Sequence, residues 1–185
     1  MTMLTSDQAN MVVVVLVLIS TVFSSFPTAV VADANFIAQV CQKAQMDGSQ
    51  CVEVLSTDPR SFNATSYEDL ASISLDIATS TCRDVAKGIH DEASKHDYRS
   101  AVGEILGKCG EYYDQAKYSL KDARESFDKR TYIKAMEEAV DAEDYADECE
   151  QAFSNANLTS IVAAQDERMR QRCVVAVDLL GLLVK

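Results

Sequence analysis

Apolar residues recur along most of this chain with the period of an α-helix. From Val102 they run Val102, Leu106, Cys109, Tyr113, Ala116, Leu120, Ala123 and Phe127, in alternating steps of four and three. Side chains spaced this way fall on one face, so the stretch predicts an amphipathic helix with a continuous buried seam. The segment before it carries Ala71, Leu75, Ala78, Cys82, Val85 and Ile89 at the same rhythm. Ser66, with Asp69 three positions on, predicts the start of that helix. The polar stretch from Ser94 to Asp97 predicts its end, near Ala93. A third seam follows in Tyr132, Ala135, Ala139, Ala142, Ala146, Cys149 and Phe153, and its alanines allow close helix approach. A fourth comprises Met169, Cys173, Ala176, Leu180 and Leu183. Four such helices with short connections predict an all-α, up-down-up-down bundle, because each must bury its stripe against the others.

Residues 33–62 read as a helical hairpin ahead of this bundle, which takes up residues 63–185. Phe36, Ile37, Val40 and Cys41 form one short stripe, and Cys51, Val52, Val54 and Leu55 form another. Asp47-Gly48 is a turn signal between them. Pro59 disfavours helix at Asp58 and ends the hairpin. Two prolines and six glycines in 185 residues agree with long helices.

Residues 1–32 read as a secretory signal. Met11–Ile19 is an apolar core of suitable length, and Val30-Val31-Ala32 offers small residues for cleavage, with a cut after Ala34 as the alternative. The first ten residues contain Asp7 and no Lys or Arg, an oddity that translation from Met11 would remove. Ser20, Thr21, Ser24, Ser25 and Pro27 interrupt the apolar run, which argues against a retained membrane anchor.

Export changes how the cysteines are read. All six, Cys41, Cys51, Cys82, Cys109, Cys149 and Cys173, lie beyond the signal, and an even number in an exported chain implies disulfides. The turn between the second and third bundle helices is expected at Asp128–Arg130. Cys109 and Cys149 each lie 20 residues from Lys129 and both sit on seams, so an antiparallel pair of helices brings them face to face. Nine residues separate Cys41 from Cys51, a spacing that suits a bridge closing the hairpin. Similar reckoning sets Cys82 about 19 and Cys173 about 15 residues above the turn. They are expected as a third bridge, with two buried free thiols as the alternative. Asn63-Ala64-Thr65 and Asn157-Leu158-Thr159 are candidate glycosylation sites.

Without the signal the chain has 28 acidic and 17 basic side chains, a net −11. That charge argues against nucleic acid and anionic membrane surfaces as partners and fits a basic protein. The sequence does not suggest an enzyme. Its two histidines, His90 and His96, fall near a helix end or loop with no nucleophile motif beside them. There is no Gly-rich phosphate loop and no metal-ligand spacing, so neither cofactor nor metal is expected. The acidic run Glu137–Glu150 lacks the pattern of a calcium loop and reads as a solvated face or a surface for a basic partner. Tyr113 reads as core, whereas Tyr112 and Tyr118 are interface candidates.

One set of residues resembles a known family. Cys41 and Cys51 are followed by Val52-Glu53-Val54-Leu55-Ser56-Thr57-Asp58-Pro59-Arg60-Ser61 and then Leu70-Ala71. Later come Cys109, Glu111-Tyr112-Tyr113, Leu120, and Ala146-Asp147-Glu148-Cys149-Glu150 with Phe153. In this order the set is similar to the plant invertase/pectin methylesterase inhibitor family over residues 35–183. The resemblance implies bridges equivalent to Cys41–Cys51 and Cys109–Cys149. It also implies a secreted inhibitor that occludes the cleft of a pectin methylesterase or an invertase, in the apoplast or the vacuole. A non-inhibitory wall or carrier protein is the other reading. Invertase inhibitors of this family carry Pro-Lys-Phe before the third bundle helix. The matching stretch here is Lys129-Arg130-Thr131-Tyr132, with Arg130 at the proline and Thr131 at the lysine. Those four residues are the target-binding candidates, and the departure tilts the expectation toward pectin methylesterase, in a basic isoform.

Overall fold

The structure, a computed structural model, describes residues 29–45 and 47–184, with side chains from Ala34 onward. The expected signal core and its flanks up to residue 28 lie outside the described residues. All packing discussed below belongs to one compact unit, residues 33–185. The helices are α1 (Ala29–Cys41), α2 (Gly48–Ser56), α3 (Tyr67–Ala93), α4 (Ala101–Asp128), α5 (Tyr132–Asn155) and α6 (Ala163–Gly181). A 3-10 turn, Pro59–Asn63, lies between α2 and α3. Pro59 was expected only to stop the hairpin. With Asp58 extended and its carboxylate accepting from the Arg60 N–H, the proline instead opens this extra turn.

Helices α3 to α6 close into a ring in which each packs on two neighbours, and α2 lies against α3 and α6. One core layer joins the hairpin to the lower bundle through Ile37, Leu55, Leu70, Phe127 and Leu179. The other fills the upper bundle with Cys82, Leu106, Tyr113, Phe153, Met169 and Cys173. The seams foreseen from periodicity are the buried faces. No described helix is long and apolar enough to cross a membrane.

Local chemistry fixes the helix ends. The Ser66 hydroxyl accepts from the Asp69 N–H at 3.1 Å, and Asp69 accepts from the Ser66 N–H at 2.9 Å. This reciprocal capping box starts α3. Ser100 caps α4 by accepting from Gly103. A Cβ on Gly103 would lie 2.1 Å from the Asp97 carbonyl oxygen, so the α3–α4 turn closes only over a glycine.

Two disulfides form, Cys41–Cys51 and Cys109–Cys149, with Cα separations of 5.6 and 4.8 Å. The third bridge, expected between Cys82 and Cys173, does not, and both are buried free thiols. The Cys82 thiol is directed at the Tyr113 carbonyl on α4, 3.8 Å away, whereas Cys173 belongs to α6. Counting residues gave their heights but not the direction of the sulfur.

Candidate functional site

The end of the bundle where α4 turns into α5 gathers most of the target-binding candidates. Helix α4 finishes when the Arg130 N–H donates to Phe127 and the Thr131 N–H to Ser126, at 2.8 and 2.9 Å. This double closure requires a left-handed residue, and here it is Arg130, at φ 60°. The Thr131 hydroxyl donates to the same Ser126 carbonyl at 2.8 Å.

The turn is tied back onto α3. The Tyr132 hydroxyl donates to Glu68 at 3.0 Å, and its ring leans on Phe127 with centroids 5.7 Å apart. Burial first, and then the Glu68 contact, push the Tyr132 phenol upward. Arg130 lies 3.7 Å from Glu68, and Lys129 lies 3.7 Å from Glu125. Lys129, Arg130 and Thr131 are exposed, whereas Tyr132 is half-buried.

Beside this turn lies an open cleft of about 560 Å³ lined by Arg130 through Lys134, Glu137, Leu183 and Val184. Ile133 is 56% and Val184 38% exposed, so the cleft is apolar there, while Arg130 and Lys134 supply cations in its lining and Lys129 adds one on the adjoining turn. Sequence reasoning missed Ile133, Lys134 and the Leu183–Val184 end. The available signal was Ile133 itself, a large apolar residue one position off the seam through Tyr132 and Ala135.

Tyr112 and Tyr118 are not part of this gathering. Tyr118 lies about 16 Å and Tyr112 about 26 Å up α4 from Lys129, at the helical rise per residue. Tyr118 is 64% exposed, and Tyr112 is half-buried and stacked on Tyr145 at 6.4 Å. Asn63 and Asn157 are both exposed. Asn157 takes the left-handed position that ends α5, at φ 56°.

Along α5, Glu137, Asp141, Asp144 and Glu148 are exposed and make no ion pair among the described residues. Burial, with Asp147 and Asp144 nearby, pushes the half-buried Glu143 carboxyl upward. The molecule therefore presents two contrasting surfaces, an acidic helix face and a cationic, apolar turn.

Residues 35–179 match the family model described as plant invertase/pectin methylesterase inhibitor. The chain is 26% identical over 138 residues to the cell wall/vacuolar inhibitor of fructosidase 2 of Arabidopsis thaliana, covering 73% of this chain and 76% of that one. In fold it is similar to a crystal structure of mutant form A of a pectin methylesterase inhibitor from Arabidopsis, with a TM-score of 0.67 and 18% identity. That likeness covers 79% of this chain and 95% of the other. A second pectin methylesterase inhibitor structure from Arabidopsis thaliana gives a TM-score of 0.60 at 19% identity, over 82% and 97% of the two chains.

Proposed function

Because this chain belongs to the plant invertase/pectin methylesterase inhibitor family, we propose that it is a secreted inhibitor of a cell-wall carbohydrate-active enzyme, with pectin methylesterase as its target. It acts by stoichiometric binding that covers the substrate cleft, and it is not itself an enzyme. The observation that carries the choice of target is the closed α4–α5 turn. Arg130 stands at φ 60°, a conformation that the ring of proline forbids. The aromatic of Pro-Lys-Phe survives as Tyr132, held by Glu68, but the proline and lysine positions carry Arg130 and Thr131.

Charge supports the same reading. Pectin methylesterase releases a polyuronate product, so its groove has to tolerate a polyanion. An acidic inhibitor with the unpaired carboxylates of α5 suits such a groove, above all in a basic isoform. The 26% identity to a fructosidase inhibitor favours invertase as the second reading. A glycosidase cleft contains catalytic carboxylates, and the cations at Lys129, Arg130 and Lys134 would be drawn to it.

Titrating the secreted protein against both enzymes tests the proposal. Pectin methylesterase activity is expected to fall to a plateau at one inhibitor per enzyme. Replacing Arg130, Thr131 and Tyr132 together by alanine should leave that inhibition largely intact. Inhibition of invertase alone, abolished by the same triple change, would establish the second reading instead.

A further inference from the structure

At the end of the bundle remote from the α4–α5 turn, a carboxyl is buried where a soluble helix would ordinarily avoid one. Asp166 stands in the first turn of α6 and is 2% exposed. One of its oxygens accepts from the Tyr113 hydroxyl at 2.6 Å, and the other has no donor. The Glu150 carboxyl of α5 lies within hydrogen-bonding reach of Asp166. Two carboxylates there repel, but a single proton turns the contact into an O–H···O bond and supplies the missing partner.

Among the described residues, the groups facing Asp166 offer no competing cation. Tyr113 approaches from α4, and Glu150 and Asp147 from α5. The thiols of Cys82 on α3 and Cys173 on α6 act on Tyr113 behind it. Arg170, one turn along α6, is engaged with Asp147 and Glu167. Glu150 also accepts from the Ser160 hydroxyl, and Ser160 accepts from the Val162 N–H. The carboxyl pair thus ties the α5–α6 connection to both helices.

We propose that the α5–α6 connection is a pH-sensitive latch, closed by one proton held between Asp166 and Glu150 and loosened when that proton passes to solvent. Burial first, and then the Glu150 contact, push the Asp166 carboxyl up to about 8, although the Tyr113 hydrogen bond opposes the shift. In an opened connection Asp166 returns toward its ordinary 3.8. The closed form therefore binds more protons, and its advantage is full below about pH 4 and lost as pH rises toward about 8. In an acidic compartment the latch is shut, and near neutrality it opens more often.

Amide hydrogen exchange of residues 156–166, corrected for intrinsic rates, tests this on the oxidised secreted protein. The opening constant should rise by up to about tenfold per pH unit between pH 5 and about 8, then level off. Amides of the remote α4–α5 turn, residues 129–131, whose local opening leaves Asp166 in place, serve as the reference and should not follow it. Asp166→Asn, whose amide is a permanent donor, should flatten the profile. If that variant fails to fold, Glu150→Gln serves: its amide donates to the Asp166 carboxylate, so the rise should level off at a lower pH, while burial of Asp166 keeps part of it. A flat wild-type profile, or a folded variant whose whole profile matches wild type, overturns the latch.

Discussion

Arg130 shows how one backbone angle constrains both stability and function. A residue with a Cβ pays about 1 kcal/mol or more for the left-handed region, which glycine enters freely. Arg130→Gly is therefore expected to raise unfolding stability by about 1 kcal/mol in urea denaturation, offset slightly by the weak, exposed contact with Glu68. A loss of stability would mean that the turn does not hold φ 60°. The sequence identified this residue as a site candidate but gave no sign of its conformation, because arginine has no special preference for it. The thiols show the same limit. Cys82 was legible as a seam residue, but the direction of its sulfur depends on the neighbouring helix. Burial pushes that thiol up to about 12, so little thiolate forms. Both thiols should resist alkylation at pH 8 in the native protein, and both should react once it is unfolded. Rapid labelling of either in the native state would contradict their enclosure.

At the scale of elements, the bundle helices were legible because each buries one seam, and the starts of α2, α3 and α4 carry side-chain caps. Ser66 with Asp69 is a local signal, and it does locally what its pattern implies. The 3-10 turn after α2 was not legible, since a proline that stops one helix also suits the start of another. Glycines separate local from tertiary demands most clearly. Gly103 and Gly107 are one turn apart on α4, and helix propensity alone would favour alanine at both by about 1 kcal/mol. A Cβ on Gly107 meets nothing within 4 Å, whereas one on Gly103 collides with the Asp97 carbonyl. Gly107→Ala should therefore stabilise by roughly 0.5–1 kcal/mol, while Gly103→Ala should destabilise by about 1–3 kcal/mol as the turn shifts. Thermal or urea unfolding of the two variants decides this. Equal effects would mean that the α3–α4 turn yields at no cost.

For the whole molecule, the position of the α4–α5 turn was legible from the two helical seams on either side of it, and its candidacy as a site came from the resemblance to the inhibitor family. Its apolar cleft was not legible, because Leu183 and Val184 reach it only through the packing of α6. The charge distribution poses the remaining question of how the molecule meets its target. The net −11 of the mature chain acts at long range, over about 10 Å at 0.1 M salt, whereas Lys129, Arg130 and Lys134 act at contact. The two make opposite predictions for the same variant. Changing those three cations to alanine moves the net charge from −11 to −14. If the acidic face meets a basic pectin methylesterase groove, association should be as fast as or faster than wild type at low salt. Its rate should fall by about tenfold or more at high salt, with dissociation little changed. If the cationic turn enters a carboxylate-lined cleft, the variant should instead dissociate faster by 10-fold or more, as expected when contact charges are lost. Surface plasmon resonance at two ionic strengths separates the cases. A wild-type association rate that does not change with salt concentration would remove the acidic face from the recognition of the enzyme.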